Sequence, residues 1–254
     1  MILCGGRGTR LREYTEDVPK VLVEIGGRPI LWHIMKGFAQ SGYSDFILAL
    51  GYLGGRIKEH FLENDGWRGR DLRLQLGSQA QPELLGAGDS WTVVMADTGA
   101  DTNTGGRIKR LESYIQGDLF FATYGDGVAN IDHKRLLDYH RSHGKIATMT
   151  VIRPRLNFGM VEMDADCRVV SFHEKPPLDA WINGGFFVFD RRIFGYLEHD
   201  SVLERQPLEQ LAHDGELVAY RHDGFWACMD TYKDNLDLNA LWAAGKAPWR
   251  TWEQ

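Results

Sequence analysis

The chain has 254 residues, 43% of them hydrophobic and 25% charged, with a formal net charge of −6. That length can bury a substantial core, while the acidic balance argues against a general nucleic-acid binder and no apolar run reaches the length of a membrane span. Cys4, Cys167 and Cys228 are odd in number and far apart, which disfavours a disulfide framework or zinc ribbon and suits a reducing cytosol. The first residues show no charged-then-apolar leader, so a cytoplasmic protein is expected.

In chain order, short apolar runs alternate with amphipathic stretches. Residues 2–4 predict a truncated strand, 29–39 a helix with proline in its first turn, 45–50 (DFILAL) a strand, and 57–62 part of a helix. Residues 91–96 predict another strand, 106–115 a helix, 119–123 (LFFAT) a buried strand, 133–143 a helix and 147–152 a strand. This alternation predicts an α/β fold with a doubly wound, mostly parallel, Rossmann-like sheet that binds ligands at the carboxyl ends of its strands. After Pro154 the pattern changes. MVEMDADCRVVSFHEKPP reads as a hairpin turning at 164–167, WINGGFFVFD as one more strand, and 208–213 and 234–244 as helical. The expected organisation is a single domain, 1–254, with one lobe over 1–152 and a smaller α+β lobe over 153–254 across a cleft. His140 and His143, at i and i+3 near a helix end, read as a solvated end rather than as metal ligands.

CGGRGTR, residues 4–10, follows the first strand and invites a phosphate-binding reading. It lacks the lysine-hydroxyl pair of a P-loop and the last glycine of a dinucleotide fingerprint. The remaining readings are a long loop whose backbone N–H groups face a nucleoside triphosphate, with Arg10 and Lys20 supplying charge, and a plain glycine-rich turn. LFFATYGDGVA sets Asp126 between two glycines just past a buried strand, and GFWACMDT places Asp230 after another apolar run. Each is either a turn residue or a carboxylate at the ligand-binding end of the sheet; two such carboxylates converging on phosphates suit Mg²⁺, a hard cation that takes oxygen ligands. FHEKPP places Glu174 and Lys175 where two prolines stop a strand, a pair that is ordinarily solvated. Asn183 opens NGGFFVF with an amide that both donates and accepts, a suitable partner for sugar hydroxyls.

The ordered set GGRGTRL (5–11), PKVLVEIGGRPIL (19–31), WHIMKGF, GYLGGRIKEHF, TGGRIKRL, TYGDGVANID, FHEKP, INGGFFVFD, GFWACMDT and GKAPWRTWE resembles the sugar-1-phosphate nucleotidyltransferases, and within them the cytidylyltransferases that make CDP-glucose. The resemblance spans essentially the whole chain. It departs in a shortened start, in Cys4 where a small alanine is common, in DTYKDN where a leucine-arginine stretch is usual, and in HDSVLERQPL where a more acidic, tryptophan-containing segment is usual.

The resemblance implies an enzyme in which a sugar 1-phosphate, α-D-glucose 1-phosphate in the cytidylyltransferases, attacks the α-phosphorus of CTP in line and pyrophosphate leaves. A phosphate monoester is already mostly ionised at neutral pH, so alignment and charge stabilisation are needed rather than a strong base. It implies Mg²⁺ on Asp126 and Asp230, with Arg10, Lys20 and Lys175 as the cationic catalytic residues. Leu3, Cys4, Gly5, Gly6, Gly8, Thr9, Arg10, Lys20, Thr104, Arg107 and Gly125 would line the nucleotide in the first lobe. Gly159, Glu174, Lys175, Asn183 and Gly184 would hold the sugar phosphate in the second. A homo-oligomer, from dimer to hexamer, is also implied. The alternatives are a nucleotidyltransferase acting on another sugar phosphate or phosphorylated small molecule, and a non-catalytic nucleotide-sensing homologue.

Overall fold

Apolar runs that can be buried on both faces form the middle of the sheet, as a layer covered by helices on both sides requires. The computed structural model describes residues 1–8, 17–63, 71–73, 83–85, 90–154, 156 and 158–253. In chain order the strands are β1 (Ile2–Leu3), β2 (Glu24–Ile25), β3 (Arg28–Pro29), β4 (Asp45–Leu50), β5 (Asp71–Arg73), β6 (Glu83–Leu85), β7 (Thr92–Asp97) and β8 (Leu119–Tyr124). They continue with β9 (Gly127–Ala129), β10 (Ala147–Ile152), β11 (Met160–Met163), β12 (Val169–His173), β13 (Ile182–Asp190), β14 (Leu217–Arg221) and β15 (Trp226–Cys228). The α-helices are α1 (Ile30–Gln40), α2 (Gly54–Glu63), α3 (Thr104–Arg110), α4 (His133–His143), α5 (Gln206–His213) and α6 (Tyr232–Ala243).

Seven strands make the main sheet, in the order β14-β10-β13-β8-β1-β4-β7. Only β13 runs against its neighbours; the other pairings are parallel. The expected doubly wound sheet is therefore present, with one correction to its organisation. The division at 152/153 does not divide the sheet, because β13 lies between β10 and β8 and β14 caps the edge beside β10. The reason is visible along β13 itself. Phe186 and Val188 feed the core on one face while Phe187 and Phe189 feed the core on the other, so the strand buries both sides and belongs in the centre rather than in a separate lobe. What projects is the hairpin β11–β12, paired from Met160↔His173 to Met163↔Val169 and turning through Cys167 at φ 61.

Helix ends follow local chemistry. The Asp132 side chain accepts from the backbone N–H of Lys134 and Arg135 to start α4, and Gly144 at φ 64 ends it. Pro29 stands at the N-cap position, one residue before α1, rather than inside its first turn. The single helix expected over 106–115 is two pieces, α3 and a 3-10 turn Glu112–Tyr114, separated at Leu111. The closing segment is tied to α1 through buried His33, whose Nε2 lies 2.8 Å from the Ile25 carbonyl and whose Nδ1 accepts from Trp249 Nε1 at 3.3 Å. Burial lowers the His33 pKa to about 4, so the ring is neutral near pH 7, with its proton on Nε2. His140 and His143 are not a solvated end: both rings lie 2.8 Å from the Thr148 hydroxyl, and His140 is buried.

The β2–β3 turn offers a stability test. Gly26 has φ 61, and a Cβ there would lie 2.0 Å from the Trp242 ring, whereas Gly27 has φ 75 and nothing within 4 Å. Gly26→Ala should lower the unfolding free energy by about 2–5 kcal/mol through backbone strain plus overpacking, against about 1 kcal/mol for Gly27→Ala. Urea unfolding of the pair checks this; equal losses would contradict it.

Candidate active site

The two aspartates are brought together by a short antiparallel ladder that lies outside the main sheet. β9 pairs with β15 in the register Gly127↔Cys228, Val128↔Ala227 and Ala129↔Trp226, and the Met229 N–H donates to the Asp126 carbonyl at 2.8 Å. Asp126 thus leaves the carboxyl end of β8 beside Asp230, which leads into α6. The α6 start is fixed by a capping box between Thr231 and Asp234, and the Asp230 N–H also donates to Asp234 Oδ2 at 3.1 Å. A carboxylate just before a helix N-terminus is favoured by the helix dipole.

Lys20 completes the centre. Its Nζ lies 2.7 Å from Asp126 Oδ2 and 2.6 Å from Asp230 Oδ1, and its side chain is 14% exposed. Burial pulls the Lys20 pKa down, but the two carboxylates outweigh it and the net shift is upward, so the ammonium stays charged. One cation position between two carboxylates is what a divalent metal needs. The Cys228 sulfur is the unforeseen neighbour, since donor atoms from Asp126, Cys228 and Asp230 all lie within 4.8 Å of one another. Burial, then Asp126, pushes the Cys228 thiol pKa up, leaving a neutral thiol that is a poor ligand for a hard cation. Gly125 makes the convergence possible: a Cβ there would meet Val21 Cγ1 at 2.5 Å and the Leu3 carbonyl oxygen at 2.8 Å.

The opening loop lies over the end of β1. Cys4 is buried, its N–H donates to the Ala49 carbonyl at 3.0 Å, and burial raises its thiol pKa to about 12. Gly6 is exposed, and Gly8 takes φ 59. Thr9 and Arg10 lie outside the described residues.

Arg107, expected to help hold the nucleotide, is bonded within the protein. It is 4% exposed and lies under the loop, where NH1 donates to the Leu50 carbonyl, the Thr98 hydroxyl and the Gly99 carbonyl. Its NH2 donates to the carbonyls of Gly5 at 3.0 Å and Ala100 at 3.2 Å. These NH1 and NH2 bonds let the guanidinium shape the loop from below. Thr104 is similarly engaged, donating to Glu204 Oε2 at 2.7 Å and accepting from the Leu203 N–H.

The residues expected on the sugar side fall into two groups. Asn183 and Gly184 open β13, where a two-residue bulge interrupts its register with β10. The Gly184 carbonyl accepts from Trp226 Nε1 at 2.7 Å, which ties this point to the β9–β15 ladder. Gly159, Glu174 and Lys175 form the second group at the base of the hairpin, where Leu156 N–H bonds Pro176 O and Leu178 N–H bonds Pro154 O. A Cβ on Gly159 would lie 2.5 Å from the ring of exposed Phe172, so a larger residue there would have to displace that ring. Lys175, at φ 47, is exposed with Nζ 3.9 Å from Glu174 Oε1.

Comparison with known proteins identifies the family. The profile of the nucleotidyl transferase family matches residues 1–236, and the chain belongs to that family. A glucose-1-phosphate cytidylyltransferase from Salmonella typhi is 46% identical, covering 100% of this chain and 99% of its own. A mannose-1-phosphate guanylyltransferase from Mycobacterium tuberculosis is 31% identical over 98% of this chain and 65% of its own. Among solved structures, HddC from Yersinia pseudotuberculosis superposes with a TM-score of 0.69 at 21% identity, covering 95% of this chain and 97% of that one. No helix among the described residues is long and apolar enough to cross a membrane.

Arg107→Lys tests the role of the guanidinium. An ammonium cannot span the same acceptors, so the variant should lose about 2–4 kcal/mol of stability in urea unfolding. A phosphate-contacting arginine would instead leave the midpoint unchanged and weaken only nucleotide binding in a titration.

Proposed function

We propose that the protein is a glucose-1-phosphate cytidylyltransferase, forming CDP-glucose and pyrophosphate from CTP and α-D-glucose 1-phosphate in the cytoplasm. The observation that carries the chemistry is the convergence of Asp126 and Asp230 on one cation position; full-length likeness to the Salmonella typhi cytidylyltransferase carries the choice of substrates. The donor set fits a hard divalent cation, so Asp126 and Asp230 would hold Mg²⁺, which when bound neutralises phosphate charge.

The remaining work falls to the chain's own groups. Lys20, on a flexible four-carbon stem, is placed to exchange carboxylate oxygens for triphosphate oxygens. Arg10 would add positive charge to the triphosphate, and the N–H groups of the loop held by Arg107 would pack against the nucleotide. Asn183 and Glu174 would hold sugar hydroxyls, and Lys175 would hold the phosphate from the hairpin side. No side chain has to remove a proton from the nucleophile, because the sugar phosphate enters as an anion. Catalysis then consists of holding two mutually repelling anions in line. The chain is proposed to work as a homo-oligomer, a reading supported by the exposed Val161, Met163, Val169, Val170 and Phe172 on the projecting hairpin.

Asp126→Asn and Asp230→Asn should each stay folded and lose most turnover, with Mg²⁺ affinity falling in a calorimetric titration. Either variant keeping wild-type rates at saturating Mg²⁺ would contradict the two-carboxylate site.

Base choice is a separate test, since CTP, UTP and dTTP present the same triphosphate. Cytosine differs by a 4-amino donor where uracil has an acceptor, and a mismatch against a buried carbonyl costs about 1–3 kcal/mol, roughly a 5- to 150-fold preference. CTP should therefore lead in kcat/KM across a nucleotide panel with pyrophosphate as readout. UTP or dTTP matching it would overturn the cytidylyl assignment and leave the metal site standing.

A further inference from the structure

One chain of hydrogen bonds runs from the Asn183 amide through Tyr124 to Glu204 and Thr104. At the β13 bulge, Asn183 Oδ1 accepts from the Gly185 N–H at 2.8 Å, and Asn183 Nδ2 donates to the Tyr124 hydroxyl at 3.2 Å. The Tyr124 hydroxyl in turn donates to Glu204 Oε1, and Thr104 donates to Glu204 Oε2 at 2.7 Å. Gly185, at φ 79, leaves the space that Tyr124 fills, since a Cβ there would lie 2.5 Å from the Tyr124 ring. Tyr124 ends β8, two residues before Asp126, so the chain runs beside the metal-binding carboxylates.

The direction of every bond in this chain is set by its last member. A carboxylate only accepts, so Glu204 accepts hydrogen bonds from both Tyr124 and Thr104. The tyrosine oxygen, having given its own hydrogen to Glu204, is left as an acceptor for Asn183. The Asn183 amide cannot flip, because flipping would set its NH₂ against the N–H of Gly185. Its orientation is thereby fixed at both ends, with one further N–H and one further lone pair of defined direction. A donor and an acceptor a short distance apart on one planar group match adjacent hydroxyls on a sugar ring.

We propose that Tyr124 and Glu204 are positioning residues that fix the Asn183 amide and so set the recognition of the sugar hydroxyls. This rests on the proposed activity and on Asn183 as a sugar contact. A role confined to holding the fold would disturb both substrates alike. The chain proposed here disturbs one.

The test is steady-state kinetics on the full chain with CTP and glucose 1-phosphate, using Glu204→Ala, Tyr124→Phe, Glu204→Gln and the Glu204→Ala/Tyr124→Phe double variant. Glu204→Ala and Tyr124→Phe should each raise the sugar-phosphate KM about 5- to 10-fold while moving the CTP KM less than about twofold. Glu204→Gln should stay near wild type, because its Oε1 can still accept from Tyr124 while Nε2 donates to the spare lone pair of Thr104. The double variant should be no worse than either single change, as expected for members of one chain. With a series of monodeoxy glucose 1-phosphates, one analogue should erase the difference between wild type and Glu204→Ala. A parallel rise in both KM values, additive losses, or an unmoved sugar-phosphate KM in an active enzyme would overturn this inference alone. Wild-type protein that neither binds nor uses glucose 1-phosphate would overturn the proposed activity and this inference with it.

Discussion

Two carboxylates held on one cation position are the constraint around which the cleft is arranged. Like charges do not approach in a half-buried site without a cation, and here the Lys20 ammonium bridges them at 2.7 and 2.6 Å. The backbone must then bring three distant segments to one point. The β9–β15 ladder does so for Asp126 and Asp230, and the turn at Lys20–Leu22 brings the lysine in beneath Gly125. A side chain at 125 would push the end of β8 off both Val21 and the Leu3 carbonyl. The residues around the cation are therefore fixed by backbone contacts, and the side chains are left free to exchange partners.

The same use of support organises the start of the chain. The buried Arg107 gathers carbonyls from Gly5, from the end of β4 and from residues 99–100. A buried guanidinium with its donors satisfied rigidifies what it touches, and one with its donors unmet would be strongly destabilising. Trp226 performs a smaller version of this task, joining the ladder that carries Asp230 to the bulge that presents Asn183. Bulges re-aim side chains at the ends of strands, and this one falls at Asn183 and the start of β13.

Much of the frame was legible from local pattern. Strands 45–50 and 147–152, the helix 133–143 and the hairpin turning at 164–167 coincide with runs whose periodicity and end signals are strong. Position in the sheet was less legible. WINGGFFVFD read as a strand of a second lobe, and only its pairing with β8 and β10 shows that its doubly buried phenylalanines place it in the centre. The partners of Arg107 were illegible for a related reason: an arginine after two glycines at a helix start has the same local pattern whether or not its guanidinium gathers backbone carbonyls.

Sequence by itself determined which residues could do the chemistry, because an apolar run ending in an aspartate flanked by glycines restricts where that carboxylate can go. It also determined the family, through the order of many short motifs. Only the tertiary structure decided which of those residues meet. Asp126 and Asp230 are more than a hundred positions apart and converge through a three-residue ladder too short to show any periodicity. Cys228 joins them because it pairs with Gly127, and Glu204 reaches Tyr124 from 80 positions away. Such contacts depend on how the chain folds back on itself, and a local pattern carries no record of which distant partner a polar side chain will find.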